Sequence, residues 1–310
     1  MRGLTALLRS GGIPPLRGGT GDAALRQRAT STAPTVSEKV TIPSGELVLH
    51  NEFRSGHLPG ERKVLVYVPP EYLAQPLRRF PVLYLHDGQN LFNHPGADGS
   101  AERWSCEITL NALLGDGSVE PVIIVGIWNA GHERIEEYAP TRNERLGAGG
   151  KLVHHCEMIV RELKPFIDCQ YRTLSGAANT GLGGSSLGAL ASLYMGISNS
   201  PMFGKIVAIS PSVWWDERMI LRDVEALTHK LPLKIFLSAG TAEGRGVIPN
   251  ARRLRATLVK KGWRPGADLE YLEAQGGRHN ESSWGEVFAP ALQFLFPARE
   301  GFDLGGLERL

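Results

Sequence analysis

Gly183-Gly-Ser-Ser-Leu-Gly-Ala189 carries the pattern Gly-x-Ser-x-Gly with Ser186 at its centre. In such a pattern a strand turns sharply into a helix. The strained backbone pushes the serine hydroxyl out of the sheet, and small neighbours, here Gly184 and Gly188, keep the turn from clashing. The next residues, Ala189-Leu-Ala-Ser-Leu-Tyr-Met195, form helix well and are apolar on nearly all sides, as a helix buried against a sheet should be. That helix would point its N-terminus at Ser186, with free N–H groups able to stabilise an oxyanion. A Gly/Ser pattern also arises by chance in a chain with 37 glycines, so the surrounding sequence has to decide.

Around this stretch the chain alternates strand and helix signals. Gly45 to Phe53 and Arg62 to Val68 alternate in polarity and are separated by Gly/Pro-containing sequence, which predicts an antiparallel pair at one edge of a sheet. Pro81 to Leu85 and Pro121 to Ile127 are short apolar runs bounded by turn residues, which predicts central strands buried on both faces. Helices are predicted over Leu152 to Phe166 and Ile248 to Lys261, and strands over Phe203 to Ile209, Leu233 to Ala239 and Asp268 to Ala274. The alternation implies an α/β fold, a mostly parallel doubly wound sheet with an antiparallel N-terminal edge and ligands bound beyond the carboxyl ends of the strands.

Composition sets the outer bounds. At 310 residues and 42% hydrophobic, the chain can bury a large core. Its net charge of +2 gives no electrostatic case for a nucleic-acid partner. The longest apolar run, Val122 to Trp128, is interrupted by Gly126 and too short for a transmembrane segment. Cys106, Cys156 and Cys169 are odd in number and lack Cys-x-x-Cys spacing, which argues against a disulfide framework or a zinc site and favours a reducing, cytoplasmic location. Residues 1–36 mix Arg with Gly, Pro, Ser and Thr and read as a disordered leader. An organelle transit peptide is the alternative, against which stand Asp22 and the lack of a clear amphipathic face. The catalytic domain is expected over residues 37–298, with a tail at 299–310.

If this is an enzyme, polar residues should follow the apolar runs, and they do. His86-Asp-Gly-Gln-Asn90 follows Leu85, Ser238-Ala-Gly-Thr-Ala-Glu243 follows Leu237, and Gln275-Gly-Gly-Arg-His279 follows Ala274. Acyl transfer through a serine needs a base in reach of the hydroxyl and a carboxylate to orient that base. Ser186, Glu243 and His279 supply these in the order nucleophile, acid, base, which is the α/β-hydrolase order. Asp216, in Ser210-Pro-Ser-Val-Trp-Trp-Asp216, is a rival acid. Glu243 is favoured because its strand lies nearer in sequence to the His279 loop and Gly240 can turn the carboxylate round. Oxyanion donors are expected at the backbone N–H groups of Leu187 and Gln89, with His86 and Asp87 holding the loop in shape by hydrogen bonds.

Six motifs in order then carry a resemblance: Val64 to Pro70, Leu83 to Phe92, Gly183 to Gly188, Ser210 to Asp216, Gly240 to Glu243, and His279-Asn-Glu-Ser-Ser-Trp284. Together they resemble the "putative esterase" family of α/β-hydrolases from about residue 40 to about 297. That family includes siderophore (enterobactin-type) esterases, feruloyl and acetylxylan esterases, S-formylglutathione hydrolase and bacterial mycolyltransferases. The His-Asp-Gly-Gln-Asn and Trp-Trp-Asp motifs look closest to the siderophore branch. The resemblance implies Ser186 as nucleophile, His279 as base, Glu243 as acid, and Gln89 and Leu187 as oxyanion donors. Two departures are Ala189, where a second Gly is often seen, and a Glu acid where many relatives carry Asp.

The expected activity is hydrolysis of a small-molecule, siderophore or aryl-type ester through an acyl-enzyme, with no metal or organic cofactor. An acyltransferase on the same triad and a catalytically silent binding module are the alternatives. Trp104, Trp214 and Trp215 are candidate substrate-binding residues, since with Trp128 and Trp284 they fall in or near loops after strands, where a flat apolar surface holds an aryl group. Ordinary core packing is the competing reading of these tryptophans. Arg134, Arg142 and Arg145 could meet an anionic substrate, but neighbouring acids favour a solvated ion-pair surface.

Overall fold

The computed structural model describes residues 36–42, 45–93 and 102–298, and it gives side-chain surroundings from Gly45 onward. The leader expected over 1–36, apart from Val36, and the tail expected over 299–310 lie outside the described residues. The strands are β1 (Val36–Ile42), β2 (Gly45–Arg54), β3 (Glu61–Val68), β4 (Val82–His86), β5 (Ile123–Ile127), β6 (Arg142–Asn143), β7 (Ala148–Gly149), β8 (Thr180–Ser185), β9 (Lys205–Ile209), β10 (Lys234–Gly240) and β11 (Leu269–Ala274).

Among the described residues, nine strands form one sheet in the order β1-β2-β3-β5-β4-β8-β9-β10-β11, and β6 and β7 form a separate ribbon. The pairs β1–β2, β2–β3 and β3–β5 are antiparallel, and every pair from β5 to β11 is parallel. This is the expected sheet with its antiparallel edge. After β4 the chain goes to β5 on one side, and after β5 it crosses to β8 on the other side of β4. The carboxyl ends of β4 and β8 therefore border a crevice at the switch point, where open α/β sheets bind ligands.

Both faces of the sheet are covered, so its parallel strands are buried almost throughout. On one face Val82, Tyr84, Ile123, Val125, Leu182, Ile206 and Leu237 pack with apolar residues of the helices Ser186–Ser198, Trp215–Ala226 and Val247–Lys261. On the other, Leu83, Leu85, Ile124, Val207 and Phe236 pack with the helices Cys106–Gly115 and Phe288–Leu295. Alternate residues of one strand thus serve opposite cores, which is why the sequence shows continuous apolar runs. β8 departs from that pattern because it reads Thr-Gly-Leu-Gly-Gly-Ser. A Cβ on Gly183 would stand 2.6 Å from the Val207 Cβ and 2.9 Å from Leu85 Cδ2, so neighbouring side chains fill the space a larger residue would need.

The helix expected over Leu152 to Phe166 runs on to Gln170, with a wider π turn at Ile159–Leu163 between two α segments. Pro165 lies in the first turn of the second segment, where its missing N–H costs least. No helix among the described residues is long and apolar enough to cross a membrane.

A polar cluster is buried under β4 and β8. His155 lies 5.2 Å from His86, ring to ring, and Tyr138 packs against both. Arg62 and Glu137 form a buried ion pair beside them. Burial lowers the pKa of both histidines, and for His155 the neighbouring His86 and Arg62 add to the effect. For His86, the Gly183 carbonyl and Asp87 oppose the shift only in part. In the folded chain both rings therefore stay neutral below the ordinary histidine value of about 6.5, whereas the unfolded chain takes up protons there. Their contribution to stability is complete above that pH and is lost as the pH falls. Glu137, raised by burial against the pull of Arg62, titrates in the opposite sense, so a variant is needed to isolate the histidine part. The Tm followed by circular dichroism should fall between pH 7.5 and 5.5, with a smaller fall in His155→Leu. Equal falls in the two proteins would contradict this account.

Candidate active site

Ser186 sits where β8 turns into the helix Ser186–Ser198, with its backbone at φ 55°, in the left-handed region. A non-glycine residue held there costs roughly 1–2 kcal/mol, and the surrounding packing has to enforce it. Gly184 and Gly188 make room for the turn, since a Cβ on either would stand 3.0–3.1 Å from the Cβ of His86. Leu187 follows in the first helical turn, whose N–H groups have no intrahelical acceptor.

The loop after β4 begins with Asp87 in the left-handed region at φ 59° and continues as the tight turn Gly88–Asn90. That turn uses the N–H groups of Asn90 and Leu91, bonded to Asp87 O and Gly88 O, and leaves the N–H of Gln89 outside its own bonds. The loop is tied down heavily. His86 Nδ1 lies 2.9 Å from Gly183 O, and Tyr138 Oη stands 3.2 Å from the Asp87 N–H that donates to it. The Asp87 carboxylate accepts Arg134 Nε and Nη2 at 2.7 and 2.8 Å and Asn129 Nδ2 at 2.6 Å. Burial lowers the Arg134 pKa, but the Asp87 carboxylate more than offsets this and holds the guanidinium firmly charged.

Glu243 and His279 come from the loops after β10 and β11. A Cβ on Gly240 would fall 2.3 Å from Gly277 O, so only glycine lets these loops approach so closely. The Glu243 carboxylate is buried. Its Oε1 accepts from Gly240 N and Ser210 Oγ, each at 2.5 Å, and its Oε2 faces His279 Nδ1 at 2.6 Å. His279 Nε2 lies 3.0 Å from Ser186 Oγ. An ionised carboxylate only accepts, so Nδ1 carries the proton and Nε2 is left to accept from the serine hydroxyl. The His279 ring rests edge-on against Trp284, with 4.8 Å between centroids, and the Trp284 Nε1 donates to Ser210 Oγ at 3.2 Å.

The structure thus brings Ser186, His279 and Glu243 into one hydrogen-bonded row across the carboxyl ends of β8, β10 and β11. It does not bring Asp216 there. That side chain accepts from Thr141 Oγ1 at 2.7 Å and lies in a left-handed stretch over Asp216–Arg218. Sequence reasoning missed Ser210, which holds the second oxygen of Glu243, and Ser212, whose Oγ is 3.3 Å from that of Ser186. Both lie in the Ser-Pro-Ser stretch after β9, and that position was the available signal.

A cleft of about 330 Å³ opens over the serine, lined by Asp87, Asn90, Asn129, Arg134, Ser186, His279, Glu281 and Trp284 among others. Two of the three tryptophans expected to bind substrate need correcting. Trp104, 3% exposed, packs against Phe288, and Trp215, 1% exposed, donates to Thr141 O, so both are core residues. Trp214 remains 49% exposed, and Trp284 is the tryptophan that lines the cleft. Of the three arginines, Arg134 forms the cleft-wall ion pair, Arg142 donates to Gly147 O, and Arg145 is exposed.

The sheet order and the strained serine turn at the switch point define an α/β-hydrolase. The chain belongs to the esterase family described as "Putative esterase", whose model matches residues 55–295. Membership together with the esterases among its relatives supports carboxylic ester hydrolysis. The chain is 25% identical over 254 residues to protein YbbA of Bacillus subtilis (strain 168), covering 78% of this chain and 95% of that protein. It is 28% identical over 247 residues to the Iron(III) salmochelin esterase of Escherichia coli O6:H1, covering 74% of this chain and 54% of that one. A solved ferulic acid esterase superposes with a TM-score of 0.65 at 18% identity, covering 81% of this chain and 98% of that one, a likeness of fold.

Gly88 offers a test of how the loop is seated. A Cβ there would lie 2.6 Å from the backbone carbonyl carbon of Gly126 on β5, and neither backbone can yield easily. Gly88→Ala should lower the unfolding free energy by about 1–3 kcal/mol in urea titrations, whereas an unchanged midpoint would contradict the close packing.

Proposed function

We propose that the chain is a serine esterase working through an acyl-enzyme, and the row Ser186–His279–Glu243 carries the proposal. His279 Nε2 takes the Ser186 proton as Oγ attacks the ester carbonyl, and Glu243 stabilises the imidazolium formed. The tetrahedral oxyanion is received by the N–H groups of Leu187 and Gln89. His279 then returns the proton to the leaving alcohol. Water, deprotonated by the same imidazole, attacks the acyl-enzyme and releases the acid. The His279 side chain is 42% exposed, and this open access favours water over a second acyl acceptor.

The cleft and the relatives together support one substrate class. Asp87, Asn90, Asn129, Arg134 and Glu281 make most of the walls polar, and Trp284 adds one flat apolar face. Such walls suit a compact, hydrogen-bonding ester of the aryl or siderophore type better than a long acyl chain. The match to a salmochelin esterase supports the same reading.

The test is hydrolysis of p-nitrophenyl esters from acetate to octanoate. Wild type should prefer the short esters, and Ser186→Ala should lower kcat by something on the order of a million-fold. Retained turnover in that variant excludes Ser186 as nucleophile. Glu243→Ala should lower kcat by up to about ten-thousand-fold, the scale seen for the acid of a comparable triad, while Asp216→Ala stays within a few-fold of wild type. The reverse ranking would transfer the acid role to Asp216.

A further inference from the structure

Three of the ties on the loop after β4 run to β8 and to the segment that follows β5: His86 to Gly183 O, Asp87 N–H to Tyr138, and the Asp87 carboxylate to Arg134 and Asn129. A fourth crosses to a different part of the chain. Asn90 Nδ2 donates to Glu281 Oε1 at 2.9 Å, joining residues 191 positions apart in sequence. Glu281 is two residues beyond His279, and Asn280 between them caps the short helix Glu281–Glu286 through Ser283 N–H. Both Asn90 and Glu281 line the cleft.

From this geometry we infer that Glu281 is a positioning residue that fixes the spacing between the base and the oxyanion donor. The inference rests on the serine esterase reading. Gln89, the donor on one side, adjoins Asn90, and His279, the base on the other, lies two residues before Glu281. The bond between Asn90 and Glu281 is therefore a strut between the two loops that must act on the same tetrahedral centre. An oxyanion donor works only within about 3 Å of the developing charge, and a misplacement of about 1 Å costs on the order of a hundredfold in rate. Glu281 takes no proton and touches no reacting atom in this scheme.

A double-mutant cycle on p-nitrophenyl acetate, with Ser186→Ala run beside it, tests the strut. Glu281→Ala and Asn90→Ala should each lower kcat by about tenfold to a hundredfold while KM stays within about twofold, because the donor acts in the transition state. The double variant should be no slower than the slower single one. Glu281→Gln, whose amide oxygen accepts the same bond, should recover to within a few-fold of wild type. Losses that multiply, a change confined to KM, or a Gln variant no better than Ala would overturn the inference. Failure of the serine reading would show separately, as turnover retained in Ser186→Ala.

Discussion

The left-handed backbone of Ser186 is the constraint on which the site depends. A serine adopts it only where the chain has no cheaper route, and here β8 must leave the centre of the sheet and enter a buried helix within one residue. The strain is held by fit. Glycines at 183, 184 and 188 admit Val207, Leu85 and His86 where side chains would otherwise stand. His86 serves both sides of the crevice, since it ends β4 and its imidazole lies against β8 through the Gly183 carbonyl. The loop after β4 and the turn after β8 are in this way positioned against the same side chain.

The row from Ser186 to Glu243 is built on the same logic of close approach. Gly240 lets the loop after β10 touch the loop after β11, so a buried carboxylate and a partly exposed imidazole meet at 2.6 Å. Burying an ionised carboxylate is costly unless its lone pairs are met, and Glu243 meets them with a backbone N–H, the Ser210 hydroxyl and His279. Ser210 in turn receives the Trp284 indole N–H, and that ring supports His279 from its edge. Glu243 and His279 are thus held by shared partners.

Much of this was legible in the sequence, because β-then-α alternation and polar residues after apolar runs are one-dimensional traces of a parallel sheet with a polar crevice at the carboxyl ends of its strands. Ser186, Glu243 and His279 could be grouped for that reason, and they lie within hydrogen-bonding reach of one another. Asn129 and Glu281 could not, since their place depends on loops meeting across strands that are distant in sequence, and Ser210 and Ser212 left only their position after β9 as a signal. The tryptophans show the limit most clearly. Trp104 and Trp284 both follow strands, yet one is packed under Phe288 and the other walls the cleft, and no local pattern separates them. β8 was legible only through the Ser186 motif, because its glycines erase the apolar signature that marked its neighbours.

Whether Ser186 Oγ supplies the attacking lone pair is tested most directly by seeing where an active-site-directed reagent attaches. Reaction with a fluorophosphonate, digestion and mass spectrometry should locate one phosphonyl group on the peptide containing Ser186, with its loss when the protein is unfolded before reaction. Attachment to another residue, or none under conditions where the folded enzyme hydrolyses esters, would contradict the account.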